Sequence, residues 1–146
     1  MTIQEQKEEY IESAILEYLH YKWALVSKII SEWFYDKNKW LYRTRKSAFS
    51  SPGISDIIGC YEGYYFAIEV KIPSEMKTAD KSIEDLKKDF IEAQKRNLSA
   101  STLKKYYHRI EQRDFLDRVE SAWGIACFAS SIEEVKQGFK EFNVIL

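Results

Sequence analysis

Pro52-Gly53-Ile54-Ser55-Asp56-Ile57-Ile58-Gly59, followed by Phe66-Ala67-Ile68-Glu69-Val70-Lys71, is the most informative stretch of this chain. Asp56–Tyr61 and Tyr64–Ile72 read as two short strands, with Glu62-Gly63 as the tight hairpin turn between them and Pro73 ending the second. In a strand, alternate side chains share a face. Phe66, Ile68 and Val70 therefore share one face, and Ala67, Glu69 and Lys71 the other. An otherwise apolar strand thus carries a carboxylate and an ammonium side by side, which is costly to bury without partners. The hairpin brings Asp56 beside them. Two carboxylates and a nearby backbone carbonyl make a hard oxygen site suited to Mg2+ or Mn2+. A lysine next to that site can lower the pKa of an attacking water and steady charge developing on a phosphate.

Upstream, Ile11, Ala14, Ile15, Tyr18 and Leu19 recur at helical spacing within a helix expected from about Ile3 to Leu19. Trp23, Val26, Ile30 and Trp33 carry a similar period onward. This predicts a second helix, or a continuation of the first, ending near Asp36-Lys37-Asn38. Trp40–Phe49 reads as a first strand, and Ser50-Ser51-Pro52-Gly53 as a turn. Downstream, Lys77–Arg96 and Thr102–Trp123 read as helices, broken by 97–101 and closed by Gly124. Ile125–Ala129 reads as a fourth strand, and Ser131-Ile132-Glu133-Glu134 as a capping box opening the last helix. This order predicts an α/β fold, a mixed central sheet flanked by helices, in a single domain spanning 1–146. The segments near 20–38 and 75–101 read as helical insertions.

The composition suits a water-exposed globular chain: 45% hydrophobic and 31% charged over 146 residues. The net charge of −1 is not that of a uniformly basic nucleic-acid binder. Charge is nevertheless segregated, with Lys37, Lys39, Arg43, Arg45 and Lys46 close together, a mostly basic 95–113, and acids from Glu5 to Glu17. A nearly neutral chain can still present a basic face in this way. Cys60 and Cys127 are too few for a disulfide framework or a zinc site, and each lies in an apolar run as a small core residue would. His20 and His108 read as surface residues. No secretory or membrane-spanning stretch is visible, which suggests a cytoplasmic or nucleoid location and no membrane partner.

Asp56 followed by Glu69-Val70-Lys71 resembles the PD-(D/E)XK nuclease signature. The flanks Gly53-Ile54-Ser55-Asp56-Ile57-Ile58-Gly59 and Ala67-Ile68-Glu69-Val70-Lys71 are similar, more narrowly, to the VRR-NUC and Holliday-junction-resolvase-like branches. Ser55 stands where those families often carry proline or another small residue. The resemblance implies a restriction-endonuclease-like core and further site residues. Gln112, followed by Phe115-Leu116 and Gly124, resembles a helix-borne glutamine of VRR-NUC proteins; Gln94 is a rival without that spacing. Glu8 matches the glutamate of an N-terminal helix, with Glu12 one turn away on the same face. Arg43 resembles a basic residue of the first strand.

The expected activity is Mg2+-dependent hydrolysis of phosphodiester bonds in branched or duplex DNA, as by a phage or mobile-element resolvase or a homing endonuclease, with Mn2+ able to substitute. Asp56, Glu69 and the Val70 carbonyl hold the metal. Lys71, helped by Gln112, positions and activates water, while Arg43, Arg45 and Lys46 hold the DNA backbone. The alternative is a catalytically inactive nucleic-acid-binding or assembly protein that keeps the fold. Cutting both strands at defined positions calls for two sites, hence a homodimer or homotetramer. The surplus aromatics Trp23, Trp33, Phe34, Tyr35, Tyr106 and Tyr107 offer surface for that contact.

Overall fold

Helix α1 (Ile3–Tyr21) starts at Thr2, whose side chain accepts from the Glu5 N–H while the Glu5 carboxylate accepts from the Thr2 N–H. It buries Glu12, Ile15 and Leu19, a spacing that puts all three on one face. The computed structural model describes residues 2–29 and 51–146, together with the backbone alone of 33–36 and 41–44.

The helix expected from Trp23 to Asp36 is not formed. Helix α1 stops at Tyr21, and the chain turns through Trp23, at φ 64°, into strand β1 (Leu25–Lys28). Strands β2 (Trp33–Asp36) and β3 (Leu41–Thr44) follow as an antiparallel pair, Phe34 opposite Arg43. The apolar residues at 23, 26, 30 and 33 suit a helical period, but Leu25, Val26 and Ser27 are needed by the sheet edge, and tertiary pairing overrides a local preference. The first strand expected from Trp40 to Phe49 includes β3, which belongs to the separate two-stranded sheet; residues 40 and 45–49 lie outside the described residues.

Strand β4 (Ile57–Tyr61) and strand β5 (Tyr64–Val70) form the expected hairpin. Glu62 (φ 48°) and Gly63 (φ 84°) are both left-handed, as a two-residue type I′ loop requires. Pro73 opens helix α2 (Pro73–Ala79) at a position where its missing N–H is harmless. The single helix expected over 77–96 is divided: Asp80 ends α2, and Ser82 caps helix α3 (Ile83–Lys95) by accepting from the Asp85 N–H. Helix α4 (Ala100–Ser121), strand β6 (Ile125–Ala129) and helix α5 (Ile132–Glu141) complete the order.

Helix α4 is not closed by Gly124. Trp123 takes the left-handed position (φ 66°), and the Gly124 N–H reaches the Val119 carbonyl in a Schellman pattern. The capping box at α5 is half present: Ser131 Oγ accepts from the Glu134 N–H, but the Glu134 carboxylate turns to the N–H and hydroxyl of Ser130.

The main sheet has the order β1-β4-β5-β6, antiparallel except for the parallel pair β5-β6, so it is mixed. Phe66, Ile68 and Val70 face a core with Ile15 and Leu19 of α1 and Val135 and Phe139 of α5. Ala67 faces the other way, onto Phe115, Leu116 and Val119 of α4. The fold is α/β, a mixed sheet between helices. Cys127 lies deep enough that burial pushes its thiol up to about 12. Cys60 is exposed instead of buried: it lies near the hairpin end, paired with the exposed Leu25 and Tyr65. Among the described residues no helix is long and apolar enough to cross a membrane.

Candidate active site

The site lies at the end of the sheet away from the hairpin turn. Pairing of Ile57 with Ile68 sets Asp56, one residue before β4, opposite Glu69 on β5. The Asp56 carboxylate accepts from the Val70 N–H at 2.9 Å, and the Asp56 carbonyl accepts from the Ile29 N–H at 2.8 Å. Asp56 is thereby tied to the strands on both sides of β4. Lys71 is fixed in turn by its N–H, which donates to the Ala129 carbonyl of β6 at 3.0 Å.

Gly53 locks this assembly to α4. It adopts φ +69°, and a Cβ there would fall 2.3 Å from the Glu111 carbonyl carbon. Only glycine permits both the left-handed backbone and so close an approach. The loop that delivers Asp56 consequently rests on the helical turn that carries Gln112.

Glu69 is 2% exposed. Its Oε1 accepts from Gln112 Nε2 at 2.5 Å and lies 3.4 Å from Lys71 Nζ. Its Oε2 is buried without a hydrogen-bond partner among the described residues. Burial raises the Glu69 pKa well above the ordinary carboxylate value. The Asp56 charge raises it further, against the opposing pull of Lys71. Two carboxylates this close repel unless a proton or a cation lies between them. One Glu69 oxygen is clamped by donors, and the other is buried without a hydrogen-bond partner among the described residues.

That donor set fits a divalent cation. Asp56, Glu69 and the Val70 carbonyl supply hard oxygens, and Mg2+ commonly takes one or two carboxylates and keeps several waters. Among the described residues no group of three acidic, histidine or cysteine side chains gathers, so Glu8 adds no third side-chain ligand to this pair.

Glu8 lies near enough to the site for the charges of Asp56 and Lys71 to act on its carboxyl. Its carboxyl is half-buried, and desolvation followed by the charge of Asp56 raises its pKa, with Lys71 opposing. Glu12, one turn on, is committed elsewhere: its Oε1 pairs with Lys28 Nζ at 2.6 Å. Gln112 is buried on α4, whereas Gln94 on α3 is exposed. Arg43 lies on β3; Arg45 and Lys46 fall outside the described residues.

Two residues near the site were not among the expected site residues, although His108 is exposed, as expected of a surface residue. His108 stands one helical turn before Gln112, with its Nε2 3.2 Å from Gln112 Nε2. Desolvation and then Lys71 hold its imidazole below the ordinary value. The i, i+4 spacing was the available signal. Lys28 pairs with Ile57, next to Asp56, and carries a pKa raised chiefly by its hydrogen bond to Glu12. Reading 23–36 as a helix hid that placement. No protein-family profile and no curated protein matches this chain.

Proposed function

We propose that this chain is a Mg2+-dependent endodeoxyribonuclease acting on branched or duplex DNA, of the PD-(D/E)XK type. The observation that carries the reading is Glu69: a buried carboxylate with one oxygen held by Gln112 and Lys71, the other without a hydrogen-bond partner among the described residues, and the charge of Asp56 acting on it. The mixed sheet supports a restriction-endonuclease-like core, with an aspartate just before β4 and Glu-x-Lys at the end of β5.

Asp56, Glu69 and the Val70 carbonyl would hold the cation, which when bound polarises the scissile phosphate and acidifies water. Lys71 is 14% exposed and sits beside Glu69, so its ammonium acts in a partly desolvated setting, where its charge acts strongly on a nearby water and phosphate. Gln112 orients that water through its amide. Glu8 adds negative charge at the rim, suited to a hydrogen bond with a water on the cation. Arg43, with Arg45 and Lys46, neutralises DNA phosphates, which gives affinity and register without sequence choice. A DNA substrate places the chain with the nucleoid, and paired sites for the two strands call for a homodimer or homotetramer.

The test is incubation with linear, supercoiled and four-way-junction DNA, with and without Mg2+, and with Mn2+ in its place. Metal-dependent strand cleavage is expected, lost in Glu69→Ala. Salt-sensitive DNA binding with no cleavage under any metal would favour an inactive binding protein instead.

A further inference from the structure

The Gln112 amide has two N–H groups and one carbonyl oxygen. Its nitrogen lies 2.5 Å from Glu69 Oε1 and 3.2 Å from His108 Nε2. An amide nitrogen does not accept hydrogen bonds, so His108 Nε2 must be the acceptor in the second contact. The imidazole is then neutral, with its proton on Nδ1, the nitrogen 4.0 Å from the Glu111 carboxylate. Both amide N–H groups are used, and the carbonyl oxygen accepts no hydrogen bond among the described residues. A reversed amide would set that oxygen against the ionised Glu69 carboxylate.

We propose that His108 is a positioning residue that fixes the orientation of the Gln112 amide, so that Glu69 Oε1 stays clamped by donors and the amide oxygen is free to accept from the attacking water. The last clause rests on the nuclease reading; the orientation itself does not. The surroundings agree with a neutral imidazole. Desolvation, Lys71 just after β5 and Lys104 on α4 oppose its protonation, and Glu111 and Asp56 favour it; the side chain is 58% exposed, so the neutral tautomer rests on the amide contact itself. Helix geometry accounts for the contact, because residues four apart are neighbours on one face.

The experiment compares wild type, His108→Gln and His108→Leu. A glutamine places Oε1 as many bonds from Cβ as the imidazole Nε2, so it restores an acceptor at that point; leucine fills the space without one. The first readout is hydrogen exchange of the Gln112 side-chain amide in metal-free protein by nitrogen-15 NMR, the signal identified by its loss in Gln112→Glu. Slow exchange is expected in wild type and His108→Gln, and at least about tenfold faster exchange in His108→Leu. The second readout is Mn2+ affinity by calorimetry without DNA. It should fall about tenfold in His108→Leu and recover in His108→Gln, the low end of what partners of metal ligands contribute. Equal amide exchange in wild type and His108→Leu overturns the proposal, as does a His108→Gln variant as impaired as His108→Leu. If the amide pattern holds but wild type binds no Mn2+ and cuts no DNA, the nuclease reading fails and the orienting role of His108 stands.

Discussion

Gly53 rests against the backbone of Gln112 so closely that a Cβ would lie 2.6 Å from the Gln112 nitrogen. The contact couples the loop before Asp56 to the helix behind Glu69. Substituting Gly53→Ala adds left-handed strain and a backbone clash together, expected to destabilise by about 2–5 kcal/mol. Urea unfolding measures this. The same substitution at Gly63, which has the same sign of φ but open space around it, should cost only about 1–3 kcal/mol. Equal losses at the two positions would show that the contact with α4 contributes nothing.

Asp56→Ala and Glu69→Ala should abolish cleavage and leave circular dichroism unchanged, because each removes one of the two carboxylates proposed to hold the cation. Lys71→Ala should cut turnover by about 10²–10³-fold, the usual effect of losing one group that stabilises transition-state charge, while DNA binding and Mn2+ binding persist. Turnover at wild-type rates in the Asp56 or Glu69 variants would remove the metal assignment. An active Lys71→Ala would reduce Lys71 to a partner of Glu69.

The raised pKa of Glu69 makes a signed prediction about stability. The folded state holds the proton more tightly than the unfolded chain, whose carboxyl titrates near 4.5. Its stabilising contribution is complete below that value and is lost as pH rises from there through the raised folded-state pKa. Glutamine at 69 carries no such linkage. The melting temperature of metal-free Glu69→Gln should therefore gain on wild type as pH rises above about 4.5. Saturating Mg2+ should narrow the gap at neutral pH by stabilising wild type alone. A gap that does not change with pH would mean that Glu69 is not the strained group.

Self-association is the fourth expectation. Trp23 is 95% exposed and Tyr107 53%, whereas Tyr106 is half-buried under the Arg109 guanidinium. Trp33, Phe34 and Tyr35 have side chains outside the described residues. Light scattering should report a dimer or tetramer at micromolar concentration, and Trp23→Ser should weaken it. A wild-type monomer with and without DNA would exclude the paired-site arrangement.

Much of the site was legible because its pattern is local. Glu69 lies on β5 and Lys71 follows it directly, two residues on, with its N–H still bonded to β6, so the period of the strand puts them on one face, and the Glu62-Gly63 turn sets the register that carries Asp56 to them. The α/β order could likewise be read from the hairpin, the parallel strand β6 and the capped final helix. Residues 25–28 and 33–36 depart from the helical reading, because Trp23, Val26, Ile30 and Trp33 satisfy a helical spacing in sequence while strand pairing takes those two segments. Gly124 was misjudged as the helix terminator for a related reason: Trp123 bears the left-handed turn, and Gly124 is needed where a Cβ would meet Val119.

Chain order by itself determined which side chains share a strand face, where the hairpin turns, and hence the Asp56-Glu69-Lys71 grouping, since each follows from covalent geometry over a few residues. Only the tertiary structure decided that Gln112 and not Gln94 meets Glu69, 43 residues away, that Glu12 is spent on Lys28 while Glu8 comes under the charge of Asp56, and that His108 stands against the amide. Those choices depend on how helices α1 and α4 rotate and settle on the sheet. That rotation is set by burial of Ile15, Leu19, Phe115 and Leu116 and by the close approach at Gly53, which no local periodicity encodes.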